Sequence, residues 1–306
     1  MPADDAALLT GFRLRNAERN LGVYGIHLHR EGHEPVEHRF RSDDRVHLYS
    51  GSKTFTAVAV GMAQSEGLLG LDDAVVDFFP GYVHADGAEA MTVRHLLHMQ
   101  SGNDFTGWGP GQAEEPDPLA AFLAAELVAE PGTRFAYSNG CSYVLSRIVH
   151  AVSGQDLRDY LLPRLFDPLG IRNPQWMRSP QGFSEGGVGL HLRTAEFARL
   201  GQLLLQEGRW QGTQLVPADF VHRMHTDVVD STGFTTDPEN CAGYGYHVWL
   251  CTPEGAWRAD GKYGQSSTVL PRQRAVVTIT AHREAASDDI LLAVWDEILP
   301  LLPVIA

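Results

Sequence analysis

The sequence predicts an α+β sandwich, in which an antiparallel sheet built from both chain ends is flanked by helices and interrupted by an all-helical domain. Three observations carry this. Strand-like runs fall at Val23–His29 and Arg45–Tyr49, then return at Tyr244–Cys251, Trp257–Ala259, Ser267–Leu270 and Ala275–Ala281. Residues from about 54 to 180 read mainly as helices and loops, and an amphipathic helix near Asp288–Ile298 follows the last strand. Strands at both ends with helices between them imply a discontinuous sheet domain, 1–53 with 181–306, around a helical domain, 54–180, and a cleft between the two.

In chain order, Val23 to His29 alternates apolar and polar residues as a half-buried strand does. Ser50 ends the second strand-like run, and Lys53 to Glu66 suits a helix that Gly67 can stop, so Ser50 falls at a helix N-terminus. Free backbone N–H groups and the positive end of the dipole favour a developing oxyanion there. Further helices are expected at Val93–Gln100, Pro118–Ala129, Gly140–Val152 and Asp156–Leu165, with the Gly/Pro/acid-rich stretch Ser101–Pro118 as the clearest loop. The chain shows no repeat, linker or low-complexity tract.

The 306 residues, 43% hydrophobic and 20% charged, are ordinary for a globular protein with a large core. A formal charge of −14 argues against nucleic acid or an anionic membrane as partner, since either calls for a basic patch. Small neutral or weakly charged substrates fit better. The acidic N-terminus lacks the apolar run of a secretory signal, and no stretch is long and apolar enough to span a bilayer. Cys141, Cys241 and Cys251 are odd in number and form no disulfide framework, so a cytoplasmic location is expected.

Only two of the 24 Lys-plus-Arg positions are lysine: Lys53, in Ser50-Gly51-Ser52-Lys53, and Lys262, in Lys262-Tyr263-Gly264. Arginine keeps its proton in proteins, whereas a lysine amine shifts its pKa readily, so chemistry that needs a tunable amine cannot use arginine. Residues i and i+3 share a helix face, which places the Lys53 amine near the Ser50 hydroxyl. A serine hydroxyl becomes a competent nucleophile once a neighbouring base takes its proton. Tyr137-Ser138-Asn139 lies between the two lysine motifs and offers a second base.

S-x-x-K, then Y-x-N, then K-x-G, resembles the serine β-lactamase and penicillin-binding-protein superfamily. The stretches L-Y-S-G-S-K-T-F-T-A, M-T-V-R-H-L-L-H-M-Q-S-G, F-A-Y-S-N-G and G-V-G-L-H-L-R-T-A-E-F-A-R-L-G-Q-L-L-L are similar to its class C β-lactamase and esterase branch. The resemblance implies the β-lactamase/transpeptidase-like fold and a cofactor-free Ser50 acyl-enzyme. It implies Tyr137 as the main base with Lys53 sharing the proton, and an oxyanion hole from the backbone N–H groups of Ser50 and Gln265, just past Gly264. Asn139 would meet the substrate amide, and Lys262 would lower the tyrosine pKa and attract a substrate carboxylate. Tyr263 replaces the small hydroxyl residue typical of β-lactamases, which counts against antibiotic hydrolysis.

The expected reaction is cleavage of a small ester, amide or lactam. D-amino-acid peptidase or amidase activity, acyl transfer, and penicillin binding without turnover remain open, as does monomer or dimer. Phe105 and Trp108, on the glycine-rich loop, are expected to shape the pocket. No metal is expected: His95/His98 and His222/His225 are spaced i, i+3, but no H-E-x-x-H signature accompanies them. Cys141 reads as a buried structural thiol, Trp249 as core, and Glu185-Gly186-Gly187 as cleft rim without an assigned role.

Overall fold

The computed structural model describes residues 5–107, 115–284 and 288–305. Its centre is a six-stranded antiparallel sheet made of β1 (Val23–Arg30), β2 (Val36–Arg39), β3 (Trp249–Leu250), β4 (Trp257–Gly261), β5 (Gln265–Leu270) and β6 (Ala275–Ala281), in the order β2-β1-β6-β5-β4-β3. The first two strands come from one end of the chain and the last four from the other. They join where β1 pairs with β6, Ile26 opposite Ile279 and Leu28 opposite Val277.

Alternation along the strands gives each face its own partner. Ile26, Leu28, Val277 and Ile279 pack with Phe12 of α1 (Thr10–Arg19) and with Ile290, Ala293 and Val294 of α5 (Asp288–Glu297). The other face meets the helix Thr194–Leu205, here α4. Small residues let α4 settle: a Cβ on Gly201 would lie 2.4 Å from Ser267 Oγ and 2.5 Å from Val276 Cγ1. Hydroxyl pairs satisfy the polar groups between these layers, Thr194 Oγ1 with Thr280 Oγ1 at 2.6 Å and Ser267 Oγ with Thr278 Oγ1 at 2.8 Å.

The larger core surrounds α2 (Ser52–Ser65), whose residues Ser52 to Ala63 are all buried, and α3 (Asn139–Ser153). A helix apolar on every side must be covered on every side. Ser138 caps α3 by accepting from Cys141 N, and Gly154, in the left-handed region, ends it.

Several elements are shorter than the sequence implies. The run Tyr244–Cys251 is strand only at Trp249–Leu250, because Gly245 and His247 turn the chain, His247 with φ +55°. The expected helix Pro118–Ala129 stops at Ala124. Val93–Gln100 is helical to Leu97, before Met99 turns left-handed at φ +59°. The region expected to be all helix also contributes Gln175–Trp176 to a small sheet with Val46–His47 and Leu190–Leu192. Among the described residues, no helix is long and apolar enough to cross a membrane.

Candidate active site

A 3₁₀ turn at Tyr49–Gly51 leads directly into α2, so Ser50 sits at the entry of a buried helix. Tyr49 adopts φ +50°, a left-handed conformation costly for a bulky residue. One turn on, Lys53 is 1% exposed and its Nζ donates to Ser50 Oγ at 3.1 Å, Asn139 Oδ1 at 2.5 Å and the Gly187 carbonyl at 2.8 Å. Those three acceptors come from the α2 entry, the start of α3 and the Glu185-Gly186-Gly187 segment. The amine is therefore where these parts of the chain converge.

That segment, without a role in sequence, supplies an amine acceptor. Gly186 has φ +67°, its carbonyl accepts from Thr56 Oγ1, and a Cβ there would lie 2.5 Å from the Ser142 carbonyl. A Cβ on Gly187 would come within 3.1 Å of Asn139 Oδ1. Two glycines allow a backbone carbonyl to reach the lysine. The double glycine was the available signal.

Burial acts in opposite directions on the two candidate bases. Burial lowers the Lys53 pKa to about 7, opposed only in part by Cys141. Tyr137 keeps part of its ring open but is packed by Phe234, Tyr244 and Trp249, and this enclosure pushes its phenol well above the ordinary value. A hydrogen bond with Ser50 pulls the phenol down less strongly. Lys53 Nζ lies over the Tyr137 ring, 4.8 Å from its centroid. Beneath the site, His247 is buried and its pKa falls to about 3, through burial first and the Lys53 charge second. A neutral His247 donates from Nδ1 to Leu97 O at 3.0 Å and accepts at Nε2 from Ser142 Oγ at 2.9 Å.

The hairpin expected to face the oxyanion is β4–β5. Gly261 pairs with Gln265 across the three-residue loop Lys262-Tyr263-Gly264, in which Tyr263 and Gly264 have φ +69° and +93°. A Cβ on Gly261 would stand 2.1 Å from the Leu48 carbonyl and 3.0 Å from Gly51 N, so the glycine lets this hairpin approach the Tyr49–Gly51 turn. The Gln265 side chain holds the strand, donating to Ala281 O at 2.6 Å and accepting from Ala281 N at 3.1 Å.

Lys262, expected to act on the tyrosine, lies in the β4–β5 hairpin loop. It is exposed, and its Nζ lies 4.8 Å from the centroid of the Tyr263 ring. Charges felt at Tyr137 come from Asp260, which raises its pKa, and Arg258, which lowers it. Arg258 is fully buried, donating to Asp260 Oδ1 at 2.9 Å, Asn240 Oδ1 at 2.9 Å and the Glu239 carbonyl at 3.1 Å. Tyr263 packs on Tyr49 and His282 with centroids 5.0 and 4.4 Å away, outside the main cavity.

That cavity, of about 680 Å³, opens beside Tyr137 and is lined by Phe105, Phe135 and Phe234, with Asp104, Arg134 and Asp230 at polar positions. Phe105 is thus a wall, while Trp108 lies outside the described residues. Neither Phe234 nor Asp230 was singled out in sequence, and nothing local to them signals proximity to Tyr137. Trp249, read as core, is buried and stacks on Tyr137 at 5.6 Å. Burial raises the Cys141 thiol to about 11, against hydrogen bonds from Ser101 and Ser138, leaving an unreactive group. His95 accepts from Thr92 N in a helix cap and His98 contacts the Asp227 carbonyl, so both have structural partners.

The Beta-lactamase family profile matches residues 22–297. Penicillin-binding protein 4* of Bacillus subtilis is 29% identical over 133 residues, covering 40% of this chain and 29% of that protein. A lovastatin esterase of Penicillium rubens is 27% identical over 160 residues, 44% of this chain and 40% of its own. The chain therefore matches well under half the length of these relatives. A solved penicillin-binding-protein homologue from Caulobacter crescentus superposes with a TM-score of 0.77 at 18% identity, over 98% of each chain, which shows a common fold.

Proposed function

Given that the chain belongs to the β-lactamase family, we propose that it is a serine hydrolase that cleaves a small ester or amide through a Ser50 acyl-enzyme. The observation that carries this is the Lys53 amine, fully buried, 3.1 Å from Ser50 Oγ and with its pKa lowered to about 7. Near neutral pH a large share of that amine is unprotonated and can accept the serine proton.

In this mechanism Ser50 Oγ bonds to the substrate carbonyl carbon as its proton passes to Lys53 Nζ. The carbonyl π electrons move to oxygen, and the backbone N–H groups of Ser50 and Gln265 receive the oxyanion. Collapse breaks the bond to the leaving group, which takes a proton from the Tyr137 hydroxyl, and the Lys53 ammonium returns the proton it took from Ser50 to the Tyr137 phenolate. Water then repeats the sequence on the acyl-enzyme and releases the acid. Lys53 is the resting base here and Tyr137 the proton donor, the reverse of what the resemblance implies, because burial favours a neutral amine and a neutral phenol alike. Asn139 Oδ1 and Gly187 O orient the amine.

The test follows p-nitrophenyl butyrate, nitrocefin and a D-alanyl p-nitroanilide by turnover and intact mass, with Ser50→Ala as control. Turnover lost in Ser50→Ala is the expected result. A stable adduct without turnover would instead identify a binding protein, and neither turnover nor adduct would remove the hydrolase reading.

A further inference from the structure

The cavity next to Tyr137 is both aromatic and electrically unbalanced. Phe105, Phe135, Tyr137 and Phe234 present rings to it, and Phe234 stands 47% exposed at its mouth with its centroid 5.5 Å from that of Tyr137. Phe234 also packs on Phe135 and Trp249, with centroids 5.8 and 5.7 Å away, so the cavity wall there is a cluster of rings. Ring faces attract cations because the ring quadrupole is negative above and below its plane.

Charge on the walls points the same way. Arg134 Nη1 donates to Asp104 Oδ1 at 2.8 Å, so among the described residues the one guanidinium lining the cavity is already matched by a carboxylate. Asp230, the remaining carboxylate of the lining, is exposed to solvent. It accepts from Thr232 N at 2.9 Å, and among the described residues no Lys or Arg side chain pairs with it. Lys262, the cation expected to hold a substrate carboxylate, lies over the Tyr263 ring and does not line this cavity.

We propose that this cavity selects substrates whose acyl group carries a cationic amine, seated among Phe135, Tyr137 and Phe234 and facing Asp230. The proposal rests on the hydrolase reading for its chemistry and adds the substrate class. An anionic acyl group would meet the unpaired Asp230 carboxylate. A neutral apolar one would fill the volume and leave that carboxylate without a counter-charge. Both walls of the subsite are distant in sequence from the S-x-x-K motif, so the preference belongs to this chain's loops.

The test uses two p-nitrophenyl esters of equal shape: that of γ-trimethylammonio-butyric acid, and its carbon isostere with a tert-butyl group in place of trimethylammonium. Each kcat/KM is divided by the ester's own hydroxide-catalysed rate to remove intrinsic reactivity. The cationic ester is expected to lead by about five- to tenfold at low salt, less at high salt, from ring and carboxylate contacts at a partly exposed site. Asp230→Asn and Phe234→Leu should each lower that ratio severalfold. Equal binding of both esters to Ser50→Ala would corroborate a failure of selectivity independently of turnover. Both esters cleaved with a ratio near one would overturn the cationic subsite and leave the hydrolase. Selective binding of the cationic ester to Ser50→Ala, with no turnover by the unsubstituted protein, would retain the subsite and remove the hydrolase.

Discussion

Replacing Lys53 by Met keeps the length and apolar stem of the side chain but removes the amine, and so isolates its protonation from its packing. The amine has a pKa of 10.5 in the unfolded chain and about 7 in the folded one, with burial as the cause. Between those values the unfolded state holds a proton that the native state lacks, so stability rises with pH across the window. Each pH unit there is worth about 1.4 kcal/mol. Raising pH from about 7.5 to about 9 should therefore stabilise the unsubstituted protein by about 2 kcal/mol relative to Lys53→Met. Below about pH 7 both states are protonated and the difference becomes constant, with the full cost of burying the charge present. Urea unfolding at three pH values, on both proteins at one temperature, measures it. Subtraction removes groups common to both, including the Cys141 thiol that burial raises to about 11. Curves that stay parallel within about 0.5 kcal/mol would refute a lysine neutral near pH 7, and with it the assignment of Lys53 as resting base. The kcat/KM profile of the unsubstituted protein should rise through the same value, near pH 7.

Two glycines to which an added Cβ brings comparable crowding should separate by function. Gly261→Ala puts a methyl 2.1 Å from the Leu48 carbonyl and moves the β4–β5 hairpin off the nucleophile turn; kcat should fall by about 10²–10³, the range for losing an oxyanion donor. Gly201→Ala crowds Ser267 and Val276 between α4 and the sheet, so it should cost about 1–3 kcal/mol of stability with KM unchanged. Arg258→Met leaves Asp260 and the Glu239 and Leu250 carbonyls without their buried donor. Chemical unfolding should show a loss of about 3–5 kcal/mol; a loss under 1 kcal/mol would mean that Arg258 does not brace the 237–241 segment against β4.

What sequence made legible follows from where the information resides. Strands β1 and β6 were readable because alternating apolar residues cover two different helix layers, and the registers Ile26–Ile279 and Leu28–Val277 place those residues on one face. Ser50, Lys53, Tyr137 and Asn139 were readable because their chemistry is carried by side chains of few types in a fixed order, and the fold brings all four together. Rarity of lysine pointed equally to Lys53 and Lys262, yet only one is buried; residue type fixes a charge but not its surroundings. Helix Pro118–Ala129 and strand Tyr244–Cys251 were overdrawn because local propensity does not contain the turns that tertiary contacts impose at Ala125 and His247.

The Gly187 carbonyl shows why part of a site can escape side-chain motifs altogether. In its protonated form the buried amine has three protons and needs three acceptors, and the serine and asparagine supply two. The third is a backbone oxygen, which any residue possesses and no residue type advertises. What sequence can show is the consequence of bringing backbone that close. Gly186 at φ +67° would collide with the Ser142 carbonyl if it carried a Cβ, and a Cβ on Gly187 would press on Asn139. A pair of glycines beside a buried acid, far from any turn signal of a hairpin, is therefore a trace of main-chain participation. The Asp230–Phe234 wall leaves no such trace: Ser231 within it donates to the Asn240 carbonyl, and Arg258 donates to Asn240 Oδ1 and the Glu239 carbonyl, so the stretch is tied down by residues that look structural in their own right.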